Sequence, residues 1–89
     1  MNVSIELIEQ LKAAYNLPSD YAASKKICVK PNSVSNWRHE RSSMDDEIAI
    51  NVAELLELDP LKVLASLHAE RATRLNKESL ADFWLKYTH

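Results

Sequence analysis

The 89-residue sequence contains no glycine at all, so every turn must be made by residues that carry a side chain. A single cysteine, Cys28, excludes an internal disulfide and any multi-cysteine metal site, and it fits a reducing compartment. Long apolar runs are also missing. Charge interrupts every aliphatic stretch well before the ~18 residues that a membrane span needs. The opening MNVSIELIEQ is acidic and amphipathic and lacks the basic-then-apolar layout of a secretion signal, so a cytoplasmic protein is expected. Net positive charge is absent too, the formal value being −2. What remains is 46% hydrophobic and 27% charged, an ordinary balance for one globular domain.

The charge is unevenly distributed. Between Lys25 and Arg41 five cations (Lys25, Lys26, Lys30, Arg38, Arg41) face Glu40 alone, a local +4. From Ser42 to Asp59 there are six acids and no lysine or arginine. Nucleic-acid binding needs local positive charge to displace counterions and does not require a basic protein.

Hydrophobic residues recur at helical spacing throughout, and no segment shows sustained two-residue alternation, so an all-α fold of five or six helices is expected. Ser4–Asn16 carries Val3, Leu7, Leu11 and Ala14 on one stripe, with Ile8 and Tyr15 beside it, and Leu17-Pro18 ends the helix. Ser19 is placed to cap a second helix, Asp20–Ile27. Pro31 suits the first position of a third helix reaching about His39. Ser43, with Asp46 three residues on, is expected to open a fourth helix whose stripe is Ile48, Val52, Leu55 and Leu56. Asp59-Pro60 starts a fifth, with Leu61, Leu64, Ala65 and Leu67/His68 along one side, running to about Leu75. Asn76 is the expected cap of a last short helix bearing Leu80, Phe83, Trp84 and Tyr87.

The segment DYAASKKICVKPNSVSNWRH concentrates the chemistry. Two short helices packed across a tight turn need apolar residues at fixed offsets, which Ala23, Ile27, Val29, Val34 and Trp37 supply. Ser24 is small where the second helix would cross. Pro31, Asn32, Ser33 and Asn36 are left outward near the start of the third helix.

This stretch resembles the helix-turn-helix of the Cro and cI-type (XRE-like) family, above all its short phage- and prophage-encoded members. The resemblance covers roughly Ile5–Val63: SDYAASKKICV and KPNSVSNWR match the motif, and DDEIAINVAELLELDPLKV matches the helices that usually follow. It implies a lambda-repressor-like bundle over residues 1–68, with 69–89 as a C-terminal helical extension of the same globular unit. It also implies that Pro31, Asn32, Ser33 and Asn36 face the major groove. A side-chain amide can pair with adenine N6 and N7 together, which suits Asn32 and Asn36. Lys30, Arg38, His39, Arg41 and Ser42 are expected at phosphates. The family usually has glycine with positive φ in the turn and again after the second helix; here those positions hold Cys28 and Glu40.

The expected function is therefore a sequence-specific regulator, a repressor of phage or mobile-element type, binding double-stranded operator DNA as a homodimer. The aromatic end, with Leu80, Phe83, Trp84 and Tyr87, is the expected dimer surface, since bulky aromatics commonly anchor interfaces. The alternative is an interaction module on the same fold, an antirepressor or antitoxin binding a protein partner. Glu40, the missing glycines, the acidic fourth helix and the aromatic C-terminus favour that alternative. His39, His68 and His89 are scattered, without metal-ligand spacing, and no nucleophile elbow, P-loop or dinucleotide fingerprint occurs. No enzymatic activity, metal, cofactor, small-molecule ligand or membrane partner is expected.

Overall fold

Among the described residues every helix but the last starts where a side chain can accept the free amide protons of the first turn or where proline removes one. In the computed structural model, which describes residues 2–89, Asn2 Oδ1 accepts from Ile5 N–H at 3.1 Å and opens α1, Val3–Tyr15. Ser19 Oγ accepts from Ala22 N–H and opens α2, Asp20–Lys26. Pro31 is the first residue of α3, Pro31–Arg38, and no side chain caps it. Asp45 caps α4, Asp46–Leu55, through Ile48 N–H at 2.9 Å. Asp59 and Pro60 together open α5, Pro60–Arg74. The last helix, α6, is Glu78–Leu85. No strand occurs among the described residues.

The expectation of an all-helical chain with five or six helices agrees with the six found among the described residues, and the radius of gyration of 12.6 Å is about that of a compact domain of this length. Several details differ. Ser43 does not open α4; its hydroxyl donates to Glu70 instead, and Asp45 takes the capping role. Asn76 does not cap α6: it is the left-handed residue that closes α5, and Lys77 precedes α6 without a side-chain cap bond. Leu61 is 76% exposed, because α5 turns Val63, Ala65, Leu67, Ala69 and Ala72 inward.

α1 is the hub. It packs against α2, α3, α4 and α5, and its Leu7, Ile8 and Leu11 are buried with Val34, Trp37, Met44, Val52 and Leu67. Ala14, at the far end of the same stripe, is exposed. α5 runs unbroken through residues 68 and 69, and α6 folds back to pack on α5 alone.

With no glycine available, left-handed backbone is forced onto other residues. Asn16, Cys28, Glu40, Glu57 and Asn76 have φ between 54° and 58°, each just beyond the end of one of α1 to α5. After each of these five helices the next amide returns to a carbonyl of the last turn: Leu17 N–H to Lys12 O, Val29 N–H to Ser24 O, Arg41 N–H to Asn36 O, Leu58 N–H to Ala53 O, Lys77 N–H to Ala72 O. These Schellman closures satisfy helix-end carbonyls. For Cys28 and the two glutamates the strained φ costs about 1 kcal/mol or more each.

Candidate nucleic-acid interface

The α2–α3 pair is built around Ile27–Lys30. Cys28 N–H donates to Lys25 O and Val29 N–H to Ser24 O at 2.9 Å, so the chain reverses within four residues. Cys28 supplies the positive φ at 58° and is itself exposed. Ser24 is fully buried and its hydroxyl donates to Tyr21 O, which leaves no side chain bulky enough to separate the helices. Ala23, Ile27, Val34 and Trp37 are buried and Val29 is half-buried. The five residues expected to join the helices do come together.

Burying Val34 and Trp37 fixes which side of α3 is free. Pro31 and Asn32 are exposed, while Ser33 and Asn36 are half-buried. Lys30, His39 and Arg41 are exposed at the two ends of this face, and Ser42 is half-buried beside it. Arg41 is returned against α3 by the left-handed Glu40: its N–H donates to Asn36 O at 2.9 Å, and its Nη1 donates to Asn36 Oδ1 at 3.4 Å.

Arg38 points elsewhere. Its guanidinium donates to both Asp20 oxygens and reaches Glu9 at 3.3 Å, so it ties α3 to α2 and α1. Lys12 joins from the other side, 3.1 Å from Asp20 and 3.0 Å from Glu9. The Arg38 hydrogen bond, with help from Lys12, outweighs partial burial and holds the Asp20 carboxyl down at about 2. Arg38 is correspondingly raised, chiefly by its bond to Asp20. Of the local cations, Lys26 lies 4.3 Å over the Tyr15 ring and Lys25 5.1 Å over that of Tyr21.

A second framework fixes the loop after α3, and the sequence reading did not single it out. Glu70 on α5 is only 4% exposed. Its carboxylate accepts from Val3 N–H at 2.5 Å, Ser4 Oγ at 3.4 Å and Ser43 Oγ at 3.0 Å. Ser4 Oγ in turn accepts from Met44 N–H, and Arg74 donates to Ser43 Oγ and Ser42 O. Val63, Leu67 and Glu70 share one helical stripe, so an acid within an apolar row was the available signal.

At the other end, α6 turns Ala81 and Trp84 toward α5, with Trp84 half-buried and its ring centroid 4.6 Å from that of His68. His68 Nε2 lies 3.2 Å from Asp46. Burial raises the Asp46 carboxyl, but its bonds to Arg71 and His68 prevail and leave it below the usual value. Leu80, Phe83 and Tyr87 form a strip 44%, 46% and 55% exposed.

The chain is 32% identical over 87 residues to the uncharacterised protein Gp-c of Pseudoalteromonas phage PM2, covering 97% of this chain and 95% of that one. The chain belongs to the same family as Gp-c. No family model matches it, and no solved structure matches it. Among the described residues no helix is long and apolar enough to cross a membrane.

Proposed function

We propose that this relative of Gp-c is a sequence-specific DNA-binding regulator of the Cro/cI helix-turn-helix type, with a lambda-repressor-like arrangement of α1–α5. The observation that carries this reading is α3 itself. One side is buried through Val34 and Trp37, the other presents Asn32, Ser33 and Asn36, and Lys30 and Arg41 stand at its ends. Amide and hydroxyl groups suit base edges, and cations suit the flanking phosphates or the acceptor edge of guanine. Lys30, His39 and Ser42 contact phosphate, while Arg38 braces α3 from behind.

The reading includes pairing of two copies, since single helix-turn-helix units generally bind two half-sites about one helical turn apart. The Leu80, Phe83 and Tyr87 strip supports a second copy as partner. The role in this reading is that of a phage or mobile-element repressor, and the relative comes from a phage. A gel shift with the DNA flanking the protein's own gene is the direct test. A retarded complex that survives excess random DNA is expected; competition indistinguishable from random DNA overturns the reading.

A second reading has one specific observation behind it. A groove of about 350 Å³ lies between α1, the start of α5 and the end of α6, lined by Leu7, Leu58, Val63 and Leu85 with Glu6 and Lys62 at its rim. Such a groove suits an apolar side chain of a protein partner, as in an antirepressor or antitoxin. Salt-independent co-purification with the product of a neighbouring gene favours that reading over the first.

A further inference from the structure

Resting on the DNA-binding reading above, we infer that Arg41 and Asn36 form one reading unit that selects guanine, with Arg41 acting as a base-reading residue and not as a phosphate contact. The juxtaposition comes from the backbone. Glu40, at φ 56°, turns the chain back so that Arg41 N–H closes on Asn36 O, five residues earlier, and the two side chains lie together. Arg41 Nη1 then donates to Asn36 Oδ1.

The orientation of the Asn36 amide follows from chemistry. A guanidinium has five N–H donors and no acceptor, so only the amide oxygen can face it. With that oxygen engaged, the Asn36 NH2 is the group left for DNA, and the remaining Arg41 N–H groups lie beside it. The pair thus offers mainly donors, with one lone pair left on an amide oxygen that faces Arg41. In the major groove guanine presents two acceptors, N7 and O6. Adenine presents an acceptor beside a donor, its N6 amino group, and cytosine presents a donor, so each meets a donor with a donor. A free asparagine would prefer adenine through one acceptor and one donor; Arg41 competes for that acceptor and weakens the pairing.

The test is selection of binding sites from a randomised DNA duplex library with the wild-type chain, Arg41→Ala, Arg41→Lys and Asn36→Ala. The wild type is expected to enrich guanine at one base pair of each half-site, by roughly 5- to 150-fold over adenine. Arg41→Ala frees the amide and is expected to move the preference at that base pair to adenine. Arg41→Lys, still a donor without an acceptor, keeps guanine with a weaker preference. Asn36→Ala loosens the same base pair and no other. If Arg41→Ala weakens every sequence alike, with an unchanged base preference and a shallower salt dependence, Arg41 is a phosphate contact and the inference fails while DNA recognition stands. Enrichment of adenine at that position by the wild type also overturns it. If no sequence is enriched by any form, DNA recognition fails and the inference with it. Circular dichroism of each variant separates all of these outcomes from loss of fold.

Discussion

Arg38 reaches back from α3 to hold both carboxylate oxygens of Asp20, at the first position of α2, and so joins the two helices on the side opposite their shared turn. Glu9 and Lys12 extend the contact to α1. Because both partners are about one-third exposed, the pair resembles a surface ion pair more than a buried one. Asp20→Asn is expected to cost roughly 1 kcal/mol, or about 4–8 °C in melting temperature.

The same pair sets a pH dependence. Asp20 has its folded value depressed from 3.8 to about 2, so between these values the unfolded chain binds more protons. Its contribution is fully present above about pH 4 and is lost as the pH falls toward 2. Thermal melts of wild type and Asp20→Asn should therefore differ at neutral pH and converge across that interval. A constant difference down to pH 2 would show that Asp20 does not stabilise through its charge.

Glu70 carries a larger consequence. Val3 N–H, the Ser4 and Ser43 hydroxyls and Arg74 all converge on one nearly inaccessible carboxylate. Glu70→Ala leaves these groups unpaired, with an expected cost of about 3–5 kcal/mol by denaturant unfolding. Glu70→Gln keeps one carbonyl oxygen for Val3, and the serine hydroxyls can turn to accept from its NH2. It should cost roughly 1 kcal/mol. Equal losses in the two variants would mean that the negative charge matters at this site, and neither the volume nor the hydrogen bonds that glutamine keeps.

What the sequence disclosed, and what it hid, follows from separation along the chain. Helix positions came from caps, prolines and apolar spacing, all local: Ser19, Pro31 and Asp59-Pro60 sit where expected. The turn core of Ala23, Ile27, Val29, Val34 and Trp37 was legible for the same reason. Hidden were bonds between distant residues. Ser43 looked like a cap because nothing local revealed Glu70, 27 positions away, competing for its hydroxyl. Arg38 looked like a free cation because nothing local revealed Asp20, 18 positions earlier, as its partner. Leu61 was placed inward because a stripe alone does not say which neighbours a helix between α1, α4 and α6 will meet.

The two left-handed glutamates separate stability from binding. Glu57 and Glu40 have φ of 57° and 56°, and both close a helix by the same pair of backbone hydrogen bonds. Replacing either with glycine relieves the Cβ strain but adds unfolded-state freedom, for a net gain of about 0.5–1 kcal/mol. Only Glu40 stands beside the α3 face, next to Arg41. Glu40→Gly should also tighten DNA binding at low salt, whereas Glu57→Gly should leave it unchanged. Equal DNA affinities for the two variants would place the DNA away from α3.

The Leu80, Phe83 and Tyr87 strip leaves roughly 300 Å² of apolar side chain open on each copy. That is well short of the ~800 Å² per partner of a standard stable interface. The pairing of two copies should therefore be weak in free solution, on the order of micromolar or weaker, and strengthened when adjacent half-sites hold both. Sedimentation equilibrium should show concentration-dependent association in the wild type. Phe83→Ser should lower it by at least about tenfold while leaving the helix content unchanged, since Trp84 and Ala81 make the contact with α5. A wild type that stays monomeric at roughly millimolar concentration would remove α6 as the pairing surface.

Lys30 tests where the phosphates lie. It directly precedes α3, is exposed, and has no carboxylate within ion-pair distance among the described residues, unlike Arg38. A cation that neutralises one phosphate releases about 0.9 counterion, which appears directly in the slope of log affinity against log salt. Lys30→Ala should flatten that slope by nearly one unit and weaken specific and random DNA by the same factor. Arg38→Ala should act differently. It removes the brace on α3, lowering stability through the loss of Asp20 and Glu9, and leaves the salt slope near the wild-type value. A slope change in Arg38→Ala as large as that in Lys30→Ala would mean that Arg38 abandons Asp20 for the DNA backbone. In that case Asp20→Asn, by freeing the guanidinium in advance, should raise DNA affinity even as it lowers the melting temperature.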